Sequence, residues 1–247
     1  MAVQTVFKRY ELKYLLTQAQ KETVLKAMQP YMSLDKYGRT TIRNLYYDTD
    51  TYLLIRRSIE KPVYKEKLRI RSYSQVDENS TVFVELKKKY KHVVYKRRIS
   101  LSYTDATAWL SRAKHPDKHT QIANEIDYFM ELYGTLRPTV FLSYEREAYY
   151  ANDGSDFRVT FDDNILCRQD DLSLTSDVYG TPILPDGKVL MEIKCPGGIP
   201  LWMTHVLSEE KIYKTSFSKY GTAYEMLIFP QTHITNSYHM LEVATNA

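Results

Sequence analysis

The sequence predicts an α+β fold, an antiparallel β-barrel of about eight strands with covering helices. Three observations predict it. Strand-like runs recur along the 247 residues. Most of these runs alternate charged and apolar side chains, the period of a strand with two unlike faces. Helical patterns punctuate them at intervals, as expected of helices that cover one side of a sheet.

Each element follows from its local pattern. Residues 5–15 alternate as a strand. Residues 17–30 read as a helix, with Thr17 and Gln20 in a capping-box arrangement and Pro30 at the stop. Strands are expected over 40–48, 64–73, 81–90 and 92–102, with 74–80 as a hairpin loop. Two helices follow near 104–113 and 120–133. The second carries Ile122, Ile126, Phe129 and Tyr133 on one face and Gly134 at its end. Strands resume over 137–150, 157–168 and 188–195, and Asn152-Asp153-Gly154 signals a hairpin. Residues 199–213 and 216–228 read as helices. The length suits a single barrel, so one domain is expected over residues 1–247.

Composition sets outer limits. Charged residues make up 26% and hydrophobic residues 43%, a soluble globular balance. Aromatic content is 13%, carried mostly by 22 tyrosines, which suit strands with one apolar and one wet side. Cys167 and Cys195 are too few for a disulfide framework and lack metal-ligand spacing. No apolar run reaches transmembrane length, and the N-terminus lacks the apolar core of a signal peptide. A cytoplasmic location is the expectation.

The charges are the informative feature. By alternation, Arg9, Glu11 and Lys13 share a face, as do Lys67, Arg69 and Arg71. So do Glu85, Lys87 and Lys89; Lys96 and Arg98; Tyr144 and Arg146; Arg158, Thr160 and Asp162; and Glu192 and Lys194. One alternative is a solvated outer face, since antiparallel sheets commonly show one polar side to water. The sharper alternative turns the charged faces inward to a shared lumen. Two like charges about 4 Å apart repel by roughly 4 kcal/mol at an effective dielectric of about 20. A few carboxylates offset part of that, and the remainder calls for a polyanion. Arg suits phosphate through its planar fork, Lys as a point charge. The carboxylates could hold Mg²⁺ or Mn²⁺ against phosphate oxygens. The strict alternation argues against a nucleic-acid surface, which needs a continuous outer patch with interleaved aromatics.

The ordered motifs FKRYELKY, LYYDT, KLRIRSY, VFVELKKK, VVYKRR, PTVFLSYEREAY, FRVTFDDNI and LMEIK resemble the VTC-type polyphosphate polymerase domains. These belong to the triphosphate tunnel metalloenzymes, with the CYTH proteins as relatives. The resemblance runs from Phe7 to about Leu227. It implies an antiparallel β-tunnel that binds triphosphate chains with a divalent metal, Mn²⁺ or Mg²⁺. It also implies transfer of the γ-phosphate of ATP to a polyphosphate chain. ATP or another triphosphate and polyphosphate are the implied partners.

By position, Lys13 resembles the tunnel lysine of the first strand, and Arg69 and Arg71 the pair that grips nucleotide phosphates. Lys87 and Lys96 are similar to two central-strand lysines. Arg146 matches the arginine of the SYER strand, Glu192 the metal-binding glutamate, and Lys219 a lysine of the closing helix. Glu11 and Glu85 are candidate metal ligands or counter-charges. Arg9, Lys67, Arg98, Arg158 and Lys194 complete the candidate phosphate contacts. CYTH relatives begin Glu-x-Glu-x-Lys, and Arg9 stands in place of the first Glu, which favours the VTC branch. An inorganic tri- or polyphosphatase and a non-catalytic polyphosphate-binding module remain as alternatives on the same scaffold. Tyr46 and Tyr47 are candidates to stack a nucleobase, with core packing the expectation for one of them. His115 and His119 have i,i+4 spacing interrupted by Pro116, a weak metal signal.

Overall fold

The computed structural model describes residues 10–91, 93–116 and 120–230. Eleven antiparallel strands form one sheet. Eight are the long strands expected from the sequence: β1 (Tyr10–Thr17), β3 (Thr40–Asp48), β4 (Tyr64–Ser72), β5 (Thr81–Tyr90), β6 (Val93–Ser102), β7 (Arg137–Ala151), β8 (Arg158–Arg168) and β10 (Lys188–Cys195). Three short ones were not foreseen: β2 (Met32–Leu34), β9 (Thr181–Pro182) and β11 (Lys214–Thr215). The order is β11-β1-β10-β8-β7-β3-β4-β5-β6, with β2 on β7 and β9 on β8.

The expected barrel does not close. Among the described residues no ladder joins β6 to β1 or β11, so the hydrogen-bonded path is open. The edge strand β11 contributes two residues, Lys214 and Thr215, and pairs only with β1. The sheet is nonetheless strongly curled. Lys87 of β5 reaches Glu11 of β1 at 2.9 Å, across strands that stand second from opposite ends of the path.

Period-2 alternation sorts the side chains between the two faces. On the convex side, Leu68, Ile70, Val84 and Leu86 pack under α3 (Tyr103–Leu110) and α4 (Gln121–Tyr133), which supply Trp109, Ile126 and Phe129. Elsewhere on that side, Tyr14, Leu16, Val159 and Ile193 pack under α1 (Gln18–Met28) and α5 (Leu201–Glu209). Each fully buried aliphatic contributes roughly 1.5–3 kcal/mol relative to exposure. The helix pair over 103–133 is therefore a cover, as expected. Helix α1 begins with the predicted capping box, Thr17 and Gln20 satisfying each other's backbone N–H groups. Gly134 ends α4 at φ 71°, a conformation costly for other residues.

The concave side is part apolar and part charged. Its apolar end packs Ile42, Tyr46, Leu142, Ile165 and Leu190 against Tyr220, Ala223 and Tyr224. The last three come from α6 (Lys219–Ala223) and the π-helical turn Tyr224–Ile228 that continues it. Helix α2 (Leu53–Ile59), unannounced by the sequence pattern, packs beside it. Its start is held by buried Asp48, whose carboxylate accepts from the N–H groups of Leu54 and Ile55 at 2.9 and 3.0 Å. The same carboxylate accepts from the Tyr220 hydroxyl at 3.0 Å, which ties α6 to α2.

Candidate active site

The charged part of the concave face is built by strand alternation. Lys67, Arg69 and Arg71 project from β4 opposite the core residues Leu68 and Ile70. Glu85 and Lys87 do the same on β5, and Lys96 and Arg98 on β6. In register, Arg69 and Arg98 both face Glu85, while Lys67 and Lys96 both face Lys87. Arg97, one residue out of phase, goes to the convex side and pairs with Glu125 of α4 at 3.0 Å.

Glu85 is the first hub. It is 1% exposed and surrounded by four basic side chains. Arg69 donates to its Oε2 through Nε and Nη2 at 2.9 and 2.7 Å. Lys96 reaches Oε1 at 2.6 Å, Arg98 pairs with the same oxygen, and Arg71 lies at 3.9 Å. Burial alone would raise this carboxyl, but Arg71, Arg69, Lys96 and Arg98 hold it well below the usual range. Both oxygens are taken by fixed cations. In this arrangement Glu85 stands as a counter-charge to Arg69, Arg71, Lys96 and Arg98.

Asp162 and Glu192 form the second hub. Arg146 grips Asp162 with two parallel bonds of 2.6 Å, and Lys219 adds a third at 2.5 Å. Lys219 also contacts Glu192 at 3.2 Å, where Lys13, Lys194 and Arg146 approach at 3.4, 3.5 and 3.6 Å. Burial raises both carboxyls, and the cations reverse that. Lys219, Lys13, Lys194 and Arg146 hold Glu192 well below its usual range. Arg146 and Lys219 lower Asp162. The sequence had singled out Glu192 here. Asp162, fully buried, was legible only through its shared parity with Arg158. Its neighbour Asp163 faces away and pairs with Arg39.

Between the hubs lie Lys13, Lys67, Lys87 and Glu11. Glu11 pairs with Lys87 and is pulled down to about 2, with burial opposing and Lys87 and Lys194 prevailing. Lys67 has no carboxylate partner among the described residues. Its ammonium meets the Ser218 hydroxyl at 3.3 Å and the Tyr220 ring at 5.7 Å. Burial, then Lys13, Lys65, Lys87 and Arg69, push it well below an ordinary lysine. Lys96 is likewise pushed down, to about 6, by burial and by Arg71, Arg98 and Arg69, against the pull of Glu85.

Polar residues Asn44, Tyr144 and Tyr46, of which the sequence reading left Asn44 unnamed, stitch the hubs together. Asn44 accepts from Arg71 Nε at 2.9 Å. Tyr144 accepts from Arg71 at 3.0 Å, while Arg146 and Lys219 lie over its ring. The strand parity of Asn44 and Tyr144 was their available signal. Tyr46 accepts from Arg69 at 2.8 Å and stacks on Tyr220, and Tyr47 lies in the core under α3. Both are buried, so neither offers a free face to a nucleobase.

The structure thus gathers Lys13, Lys67, Arg69, Arg71, Lys87, Lys96, Arg98, Arg146, Lys194 and Lys219 on one concave face. Arg158 shares that face in register with Lys194, but its ion partner is Asp156 at 3.2 Å, toward the rim. Arg9 and His119 lie outside the described residues. His115 pairs with Asp127 at 2.7 Å. Among the described residues no cluster of three or more His, Cys, Asp or Glu forms a ready-made metal cage. Glu192 and Asp162 share the Lys219 ammonium between them. The cations approach Glu192 at 3.2 to 3.6 Å, more loosely than the 2.6 to 2.9 Å contacts on Glu85, so Glu192 is the carboxylate that could take one place in the shell of a Mg²⁺ otherwise held by phosphate and water. Among the described residues no helix is long and apolar enough to cross a membrane.

A solved structure shares the fold. A candidate adenylate cyclase from Bacillus halodurans is 15% identical and aligns with a TM-score of 0.53, over 87% of this chain and 96% of its own. A candidate adenylate cyclase from Vibrio parahaemolyticus is 10% identical, with a TM-score of 0.45, covering 88% of this chain and 98% of its own. A candidate adenylyl cyclase from Hippeastrum, described as having a dominant triphosphatase activity, is 16% identical, with a TM-score of 0.48, covering 87% and 93%. No curated protein matches the sequence. The profile of the VTC domain, however, matches residues 8–228, nearly the whole chain and every strand of the concave site, and the protein belongs to the VTC domain family.

Proposed function

We propose that this protein is a polyphosphate polymerase-like phosphotransferase, moving the γ-phosphate of ATP onto a polyphosphate chain along its concave basic face. The observation that carries this reading is the unbalanced charge. Lys67 is crowded by Lys13, Lys65, Lys87 and Arg69 and has no carboxylate of its own among the described residues. A row of phosphates supplies the missing negative charge, and membership of the VTC family supports phosphoryl chemistry on it.

Phosphoryl transfer asks the protein mainly for positioning and charge stabilisation. Arg69 and Arg71 are pre-oriented by Glu85, Tyr46 and Asn44, so little side-chain entropy is lost when they grip a phosphate. Arg146 is fixed in the same way by Asp162. Lys13, Lys67, Lys87, Lys96, Lys194 and Lys219 add point charges along the row, with Arg98 near Glu85. The Glu11–Lys87 pair bridges the curled sheet where its ladder is open. Glu192, flanked by Glu11, would hold Mn²⁺ or Mg²⁺. When bound, that ion neutralises charge developing on phosphate oxygens.

Incubation of pure protein with ATP and Mn²⁺ tests this reading. Long polyphosphate on a gel together with ADP is the expected result. Free phosphate without polymer overturns the polymerase reading in favour of a hydrolase on the same residues. Binding of triphosphate without turnover reduces the protein to a polyanion-binding module.

A further inference from the structure

The lysines of β4 and β5 continue beyond the site described above. In register, Lys67 faces Lys87, and one rung further along the ladder Lys65 faces Lys89. Like charges directly opposite on paired strands destabilise a sheet. Both members of the outer rung are half-buried, so water screens them only in part. Lys65 donates to the Ser58 carbonyl at 2.8 Å, a neutral acceptor. Lys89 has no hydrogen-bond or ion-pair partner among the described residues. Burial and the neighbours Lys89, Lys13, Lys87 and Lys61 push Lys65 below its ordinary value. Burial, Lys87, Lys13 and Lys214 do the same to Lys89, with Glu11 opposing. Lys61 and Lys214 are themselves exposed. A row of ammonium groups, with Glu11 paired to Lys87 within it, therefore leads from the interior of the concave face to the surface.

On β4 alone, the cationic rungs Arg71, Arg69, Lys67 and Lys65 extend over about 20 Å at roughly 3.4 Å per residue. Three linked phosphates fall well short of that. We propose that Lys65 and Lys89 form an outer subsite for the part of a linear polyphosphate that extends beyond its first three phosphates. This inference rests on the reading of the concave face as a phosphate-binding site and adds selection for chain length. The rung carries no aromatic on its own side, because Tyr64 and Tyr90 alternate to the other face, where Tyr64 reaches Glu66. A nucleic-acid strand would want such rings for base stacking. A bare condensed phosphate needs only the charges.

The test is calorimetric titration of wild type and Lys65→Gln/Lys89→Gln with inorganic tripolyphosphate and with long-chain polyphosphate, each at two salt concentrations. The expected result is about a tenfold loss of affinity for the long chain, with a salt slope shallower by about 1.4 at roughly 0.7 per removed charge. Tripolyphosphate binding stays unchanged. Lys65→Arg/Lys89→Arg restores long-chain affinity, and the Gln variant melts no lower than wild type because a repulsion has been relieved. Equal losses for both ligands, or no loss for either, overturn the outer subsite while leaving phosphate binding intact. Wild type that binds neither ligand overturns the phosphate-binding reading and the subsite with it. Single-stranded oligonucleotide bound as tightly as polyphosphate, and weakened as much by the variant, overturns the assignment of the ligand.

Discussion

Glu11 and Lys87 meet at 2.9 Å although no ladder joins β1 to β5 among the described residues, so this ion pair spans the gap between the two ends of the curled sheet. The carboxyl sits at about 2, and its stabilising effect has a defined acid limit. A depressed carboxyl stabilises the fold above its unfolded value near 4.5 and loses that contribution as the pH falls toward 2. Glu11→Gln is expected to lower stability by about 1 kcal/mol at neutral pH, the scale of a partly solvated pair. The difference from wild type should vanish in acid. Urea titrations at pH values across that window check it. A difference that persists undiminished below the carboxyl's titration would show that the charge is not what closes the gap.

Glu85 predicts a larger effect. Removing one partner from a buried ion cluster leaves uncompensated charge and costs roughly 3–5 kcal/mol. In Glu85→Gln, Arg69, Arg71, Lys96 and Arg98 would face one another with no anion between them. The variant is expected to melt far below wild type and to be rescued more strongly than wild type by added tripolyphosphate, which restores the negative charge. Thermal melts with and without the anion decide the matter. An unaltered melting temperature would show that the cations already find other partners.

How much of this was readable beforehand depends on the physical range of each interaction. Alternation is local, so the inward set from Lys13 to Lys194 and the outward turn of Leu68, Ile70 and Ile193 could be read strand by strand, whereas Lys219, on α6, was indicated only by the family resemblance. Arg97 and Arg98 parted as period 2 requires, one to Glu125 and one to Glu85. Three features depend on partners distant in sequence and left little local trace. Asp162 became central because Arg146 and Lys219 converge on it. Asp48 acts as a tether through α2 and Tyr220, contacts that no capping motif at residues 49–53 announces. Closure of a barrel needs two edge strands in register, and the edge at β11 is two residues long. For Glu85 the charge type was legible, but the convergence of Arg69, Arg71, Lys96 and Arg98 on one carboxylate was not.

Lys96 predicts a proton linkage. Burial and its arginine neighbours bring it to about 6, so near neutral pH the free protein holds much of it uncharged. A bound phosphate favours the ammonium and raises that value. Binding tripolyphosphate at pH 7.5 should therefore take up protons, and affinity should fall as the pH rises above about 6. For stability the sign runs the same way as for any depressed lysine. The unfolded chain binds more protons than the folded one between about 6 and the ordinary value of 10.5, so folding stability from this group rises with pH across that span. Calorimetry in buffers of differing ionisation enthalpy measures the uptake directly. Lys96→Met should reduce it, and equal uptake by variant and wild type would place the titrating group elsewhere.

Lys219 separates two views of how a divalent ion and the protein share Glu192. Its ammonium lies 2.5 Å from Asp162 and 3.2 Å from Glu192, between two buried carboxylates. In Lys219→Ala those carboxylates keep Arg146, Lys13 and Lys194 but lose one of the two cations, Lys219 and Arg146, that contact both of them. The variant is expected to lose roughly 3 kcal/mol or more of stability, the cost of an unpaired buried charge. Mn²⁺ or Mg²⁺ should then raise its melting temperature more than that of wild type, because hard cations seek paired carboxylate oxygens. Glu192→Gln in the same background should abolish that gain. If Mn²⁺ stabilises wild type and Lys219→Ala equally, and Glu192→Gln leaves both responses intact, the ion binds away from this hub and Glu192 serves only as a counter-charge to the lysines around it.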